Sequence, residues 1–330
     1  MKFSLIICTY QRPQALLQLL QSIQLQTLYP DEILIIDGSL NDKTDNILKQ
    51  NSFKNLNYYV VSTQQRGLTQ QRNLGIQKVN ENSKVVCFLD DDTVLAPNYF
   101  EEIIKTYQLH PEVLGVGGYI NNEVSWEKVD AHYTPKINEF YYDGYKRKDG
   151  SRFVLRKKLG LDSDVPPGYL PEFSHGRSIS FLPPSEKIYQ VEQFMGGVSS
   201  FRTSVFESLQ FSTYFEGYGL YEDADFTLRL SKQGKLVVNT AAKLSHYHET
   251  AGRPNKYQYG KMVVRNGWYV WRVKYPNPSL KARFKWHAIC WLLILIRFTN
   301  SFTTKNKWEA FTEAMGRKIG WLSLWFNSPK

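Results

Sequence analysis

Val85-Val86-Cys87-Phe88-Leu89-Asp90-Asp91-Asp92-Thr93 sets five consecutive apolar residues against three consecutive carboxylates. A run this short, rich in β-branched and aromatic residues and bounded by polar ones, reads as a buried strand. Three acids crowded at its end repel and raise one another's pKa unless a cation compensates them. Hard divalent cations such as Mg²⁺ or Mn²⁺ take carboxylate oxygens and complete their shell with substrate phosphates, which makes this strand end a candidate metal site. The competing reading is a polar strand end whose acids are simply solvated.

Upstream, the same kind of strand alternates with helical patterns across residues 2 to 120. Strands are expected at Lys2–Cys8, Glu32–Asp37, Leu56–Ser62 and Lys84–Asp90, with a fifth at Val113–Gly118. Helices are expected at about Pro13–Gln24, Thr44–Gln50, Thr69–Val79 and Pro97–Leu109, the two prolines suiting a first helical turn. This alternation specifies an α/β fold with a mainly parallel sheet flanked by helices. Ligands of such sheets sit at the carboxyl ends of the strands, where Thr9, Arg12, Asp37 and Asp90 to Asp92 fall.

Downstream, residues 121 to 192 are rich in Tyr, Pro, Gly and charge, and read as a loop-rich insertion. A strand at Met195–Arg202, a helix at Tyr221–Gln233 and strands at Lys235–Val238 and Ala242–His246 follow. The helix is led by Glu222-Asp223-Ala224-Asp225. Acids in a first helical turn are ordinary, because they satisfy free backbone N–H groups and the helix dipole. Metal-assisted displacement of a phosphate by a hydroxyl also needs a base for the incoming group, so these acids gain meaning beside a metal-type strand end. His246 and His248 close the last strand, and His246 is a candidate third ligand of the same metal.

From about residue 253 the pattern is helical and amphipathic, with Trp308, Phe311, Met315, Ile319, Leu322 and Phe326 stepping by three or four along one face. The 330-residue chain carries a net charge of +10, very unevenly. Residues 253 to 330 hold 15 Lys/Arg against 2 Asp/Glu, a local +13, which leaves −3 for residues 1 to 252. Seven of the eight tryptophans share that basic segment, a composition suited to an anionic membrane surface. A helical lid over the rest of the chain is the alternative. No nucleic-acid-reading motif accompanies the charge. The longest uninterrupted apolar run, Ala288 to Ile296, is too short to cross a bilayer, and no signal peptide is read at the N-terminus. A cytoplasmic protein, peripheral on the inner face of the cell membrane, is expected. Cys8, Cys87 and Cys290 lie in apolar runs without ligand spacing and read as reduced core residues.

Six motifs in order now carry a resemblance. They are Ile6-Ile7-Cys8-Thr9-Tyr10-Gln11-Arg12-Pro13, Ile35-Ile36-Asp37-Gly38-Ser39, Arg66-Gly67-Leu68-Thr69-Gln70-Gln71-Arg72-Asn73, Phe88-Leu89-Asp90-Asp91-Asp92, Gly196-Gly197 with Phe201-Arg202, and Glu222-Asp223-Ala224-Asp225-Phe226. The set resembles glycosyltransferase family 2, with its GT-A fold. The resemblance implies an inverting transferase that moves a hexosyl or deoxyhexosyl group from a nucleotide-sugar to an acceptor hydroxyl, in surface polysaccharide or glycolipid synthesis. It places Thr9, Tyr10, Arg12, Asp37, Arg66, Arg72, Asp90 and Asp91 at the nucleotide and donor. Asp92 and His246 would hold Mn²⁺ or Mg²⁺, Asp223 would be the catalytic base, and Glu222 would help place a saccharide or lipid-linked saccharide acceptor. The corresponding division of the chain is 1–252, with a nucleotide half at 1–120 and an acceptor half at 121–252, followed by the helical extension at 253–330. The alternatives are a metal-dependent nucleotide-sugar hydrolase or nucleotidyltransferase, and a non-catalytic binding protein. A dinucleotide-dependent oxidoreductase is disfavoured, because the turn from Thr9 to Pro13 contains no glycine.

Overall fold

The computed structural model describes residues 1–130, 132–215, 217–249 and 253–329. The chain begins with β1 (Phe3–Thr9), α1 (Pro13–Gln24), β2 (Glu32–Asp37), α2 (Lys43–Gln50), β3 (Leu56–Val60) and α3 (Leu68–Lys78). It continues with β4 (Val85–Asp90), β5 (Thr93–Leu95), α4 (Tyr99–Leu109) and β6 (Val113–Ile120). An insertion contributes β7 (Glu127–Lys128), β8 (Glu139–Tyr142), β9 (Tyr145–Lys148) and α5 (Ser151–Lys158). Then come β10 (Ile188–Val191), β11 (Val198–Arg202), α6 (Glu222–Leu230), β12 (Lys235–His246), and the helices α7 (Lys256–Lys274), α8 (Leu280–Thr303) and α9 (Lys307–Ser323).

By their contacts these elements form two units, residues 1–125 with 182–252, and residues 126–181 with 253–330. The boundary expected at residue 252 falls outside the described residues. The insertion groups with the C-terminal helices, although some 70 residues of the first unit separate them in sequence.

The first unit is one sheet in the order β10-β12-β6-β11-β4-β1-β2-β3, with β5 paired to β12. The strands β4, β1, β2 and β3 run parallel. Inserted antiparallel between β4 and β6, β11 makes the sheet mixed. Alternation decides which residue faces where. Leu5, Ile7, Ile33, Ile35, Cys87 and Leu89 pack on one face with Leu16, Leu20, Phe100 and Ile103 of α1 and α4. On the other face α3 approaches so closely that a Cβ on Gly75 would lie 2.7 Å from Ile6 Cγ2. An aromatic cluster continues that layer, Phe201 and Phe211 packing on Phe226 at 4.9 and 4.2 Å between ring centroids. The two strands expected at 235–238 and 242–246 are one continuous strand whose pairing with β6 shifts register between Val238 and Lys243. The cysteines are free, Cys87 and Cys290 buried and Cys8 half-buried.

In the second unit the insertion is more ordered than its composition suggests. β8 and β9 form an antiparallel hairpin closed by Asp143 at φ 46° and Gly144 at φ 80°, the left-handed pair that a tight two-residue turn requires. Behind it the buried Arg177 guanidinium pairs with Asp149 at 2.8 Å and Asp162 at 2.8 Å. It also lies over Phe140, Phe153 and Phe181. Most of residues 121–192 lie in loops, as expected, and aromatic faces and this ion network order them where apolar periodicity is absent.

The C-terminal helices of this unit build their own core. Trp271 and Trp286 stack at 5.4 Å and are buried, with Trp268, Trp291 and Trp321 packed against that cluster. Two of the seven tail tryptophans are therefore buried, three more pack half-buried against them, and Trp308 and Trp325 are exposed. α9 meets α7 through small residues: Gly260 and Gly316 lie so close to the facing backbone that a Cβ on either would clash. Ala310, Ala314 and Gly320 are buried on the same helix, so its large apolar stripe points away from α7.

Candidate active site

The acidic strand end is completed by a second piece of chain. β5 pairs antiparallel with β12, and Thr93 stands opposite His246 in that register. Asp90, Asp92 and His246 thereby present ligand atoms that all lie within 4.8 Å of one another. Nε2 of His246 is 3.1 Å from Asp92 Oδ1, while Nδ1 is 3.2 Å from Glu123 Oε1. Glu123 also reaches His248 Nε2 at 2.9 Å. Burial disfavours a charged His246, but its bonds to Asp92 and Glu123 prevail and push its pKa up to about 10. Asp92 moves the other way. Burial opposes its ionisation, and His246, the Glu249 N–H at 2.8 Å and Arg12 outweigh that, holding the carboxyl below its ordinary range. Two carboxylates and an imidazole are a donor set that suits Mn²⁺ or Mg²⁺.

Asp91 turns inward instead. It is buried, accepts a hydrogen bond from Thr9 Oγ1 at 2.7 Å, and pairs with Arg12 Nη1 at 3.0 Å. Burial raises its pKa to about 7 despite these partners. The structure thus brings three residues expected at the donor, Thr9, Arg12 and Asp91, into one bonded group that braces the loop between β4 and β5. Tyr10 is half-buried just past the end of β1.

A second set of charges surrounds Arg72 of α3. Its guanidinium is buried, bonds Glu222 at the start of α6, and lies 3.6 Å from Asp90. Phe88 and Phe211 flank it, their ring centroids 5.7 and 5.2 Å away. Burial pushes the Glu222 carboxyl up to about 8, against the pull of Arg72. Asp223 is raised as well, by burial first; its Oδ2 accepts the Gly196 N–H at 3.1 Å and its Oδ1 the Ala224 N–H at 2.8 Å. α6 enters from Tyr221, a left-handed residue at φ 71°, preceded by left-handed Gly217 and Gly219. Non-glycine residues in that conformation cluster at functional sites.

Gly196 and Gly197 join the two sets. A Cβ on Gly197 would fall 2.1 Å from the Asp90 carboxylate, and one on Gly196 would fall 2.5 Å from Arg72 Nη1 and 2.6 Å from Glu222 Oε1. Beyond β2 and β3, a cleft of about 470 Å³ is lined by Asp37, Ser39, Asp42, Asp45, Tyr58 and Arg66 among others. That volume lies within the usual range for small-molecule sites. Asp37 is fixed there by Tyr58 Oη at 2.8 Å and the Ser39 N–H at 2.7 Å. Arg66 keeps a buried Nε without a hydrogen-bond partner at the same cleft. Glu123 and Tyr58 were not singled out from the sequence. The parallel pairing of Leu244 with Ile120 brings Glu123 to the histidines, and no local motif announces that neighbour.

A mixed α/β sheet with an acid-ended central strand, a cleft at its carboxyl edge and paired acids leading a helix is an arrangement similar to the GT-A fold. Residues 4–159 match the family model described as glycosyl transferase family 2. The chain is 27% identical over 146 residues to the glucosyl-dolichyl phosphate glucuronosyltransferase of Haloferax volcanii, covering 43% of this chain and 44% of that protein. It is 33% identical over 192 residues to an uncharacterized glycosyltransferase, YwdF, of Bacillus subtilis, covering 58% of each. The chain thus spans about half the length of these relatives. Its fold is similar to the crystal structure of S. aureus TarS 1-349, with a TM-score of 0.50 at 16% identity, covering 98% of this chain and 78% of that one.

Proposed function

We propose that the protein is an inverting glycosyltransferase that moves a sugar from a nucleoside-diphosphate donor onto a hydroxyl of a saccharide or lipid-linked saccharide. The observation that supports this most directly is the Gly196-Gly197 step. One residue touches Asp90 of the cation-type group and the other donates to Asp223, so leaving-group and base chemistry share one edge of the sheet.

The cleft beside Asp37 would take the nucleoside, with Arg66 at its rim. Asp90, Asp92 and His246 would hold a divalent cation, which would supply neutralisation of the charge that develops on the departing diphosphate. Arg72, fixed by Glu222 and its aromatic neighbours, holds a positive charge against Asp90 and orients that carboxylate. Asp223 takes the proton of the acceptor hydroxyl as the new bond forms, and its bond to the Gly196 N–H keeps the carboxylate aimed. One displacement from the opposite face inverts the anomeric centre without a covalent intermediate. The Haloferax relative, named for transfer to a glucosyl-dolichyl phosphate, favours a lipid-linked acceptor and a site of action at a membrane.

Donors are screened for release of nucleoside diphosphate with and without Mn²⁺, and the sugar is followed into product. Transfer to an acceptor is expected, whereas sugar recovered only as free monosaccharide would establish a hydrolase. Asp223→Asn is expected to lower transfer by about 10³-fold, within the range for loss of a general base, while nucleoside diphosphate still binds. Undiminished turnover removes Asp223 from the base role.

A further inference from the structure

The helices α8 and α9 display apolar side chains that their own core does not use. On α8, Phe284, Leu295, Phe298 and Phe302 step by eleven, three and four, the spacing of one helical face. Phe284 is 74% exposed, Leu295 54% and Phe302 68%. At and beyond α9, Trp308 is 74% exposed, Trp325 66% and Phe326 92%. The two stripes adjoin. Phe298 contacts Phe302 and reaches Phe311 of the next helix at 6.2 Å, and Trp291 meets Trp321 at 5.0 Å. They form one continuous apolar surface on the α8–α9 pair.

Charge decides what covers it. Lys281, Arg283, Lys305, Lys307 and Lys318 are exposed on the same two helices and their connection. The acids of residues 253–329 are Glu309 and Glu313, and Glu313 is buried between Arg297 at 2.6 Å and Arg317 at 2.7 Å. A second copy docked on this surface would bring two strongly cationic faces together. Exposed Trp and Phe bordered by lysine match instead the boundary between the acyl chains and the anionic headgroups of a bilayer. Among the described residues no helix is long and apolar enough to cross a membrane, so a contact here lies along the surface.

We infer that the α8–α9 face is a docking surface for an anionic lipid bilayer, lying in the interface with Phe284, Leu295, Phe302, Trp308, Trp325 and Phe326 inserted. The inference rests on the reading above in taking a membrane-borne acceptor as the reason for the contact. It also revises which tryptophans are concerned, since five of the seven in this segment are buried in the core or packed half-buried against it.

The test is flotation of the full-length protein with phosphatidylcholine vesicles, with and without phosphatidylglycerol. Wild type is expected to float with the anionic vesicles and to be released as salt is raised. The exposed triple variant Trp308→Ser, Trp325→Ser, Phe326→Ser should partition about tenfold less, and Lys305→Gln, Lys307→Gln, Lys318→Gln should lose most of the salt dependence. Unchanged far-UV circular dichroism and unchanged nucleoside diphosphate affinity show that either variant is folded. Wild-type protein that ignores anionic vesicles overturns the inference, as does a triple aromatic variant that floats undiminished. A dimer seen by light scattering and abolished by the aromatic substitutions, without vesicle binding, overturns it in favour of self-association. Vesicle binding by a protein with no nucleotide affinity leaves this surface standing and removes the proposed transferase activity.

Discussion

Gly197 has no room for a side chain, because the Asp90 carboxylate occupies the space where its Cβ would be. Gly197→Ala must therefore displace either Asp90 or the start of β11. It is expected to cost about 1–3 kcal/mol of stability by chemical denaturation, as overpacking does, and to weaken donor binding more than Ser199→Ala does. A variant as stable and as active as wild type would show that Asp90 adjusts freely. Asp223 sets a second expectation at this scale. Burial raises its carboxyl above the ordinary aspartate range, and a base must be ionised to work. The rate of transfer should therefore fall as pH drops through that raised value, with an acid limb above the ~3.9 of a free aspartate. A rate still level at pH 4 contradicts the assignment. These residues were legible in sequence to different degrees. Three adjacent acids after an apolar strand are visible at a glance, but that Asp91 faces inward to Thr9 and Arg12 while Asp90 and Asp92 face His246 follows from the turn between β4 and β5.

Among elements, the pairing of β5 with β12 does most to assemble the site, since it carries His246 to the acids from more than 150 residues away. The companion pairing of β12 with β6 brings Glu123 to the other nitrogen of the same imidazole. A carboxylate in that position fixes the tautomer and aim of a ligating histidine. Glu123→Gln is expected to weaken divalent-ion affinity, read by titration calorimetry, by about tenfold. Affinity unchanged within error would reduce Glu123 to a surface partner of His248. Hydrophobic period sufficed for β1, β2, α1 and α4, whose apolar faces are long and regular. It failed for β8 and β9, where the Asp143-Gly144 turn was the available signal, and for α9 it gave the helix but not the packed face, since small residues and not large ones make the contact. Close packing of glycine and alanine leaves no large apolar residue on the contact face to read.

Across the whole chain, opposite demands are met by different units. The proposed chemistry lies entirely within residues 1–125 and 182–252, where acids gather at one edge of the sheet. Residues 126–181 and 253–330 carry the cations and the aromatic surface. The charge asymmetry between these parts was readable from composition, whereas the joining of the insertion with the C-terminal helices was not, because it depends on contacts between segments far apart in sequence. In the proposed mechanism Asp90, Asp92 and His246 would hold a cation that secures a diphosphate. Titration calorimetry of the full-length protein with a nucleoside diphosphate, with Mn²⁺ and then with chelator, tests it directly. Mn²⁺-dependent binding is expected, and it should fall by about 100-fold or more in Asp92→Asn, which removes a proposed ligand. Binding that is equally tight in chelator, or unaltered in Asp92→Asn, would contradict it.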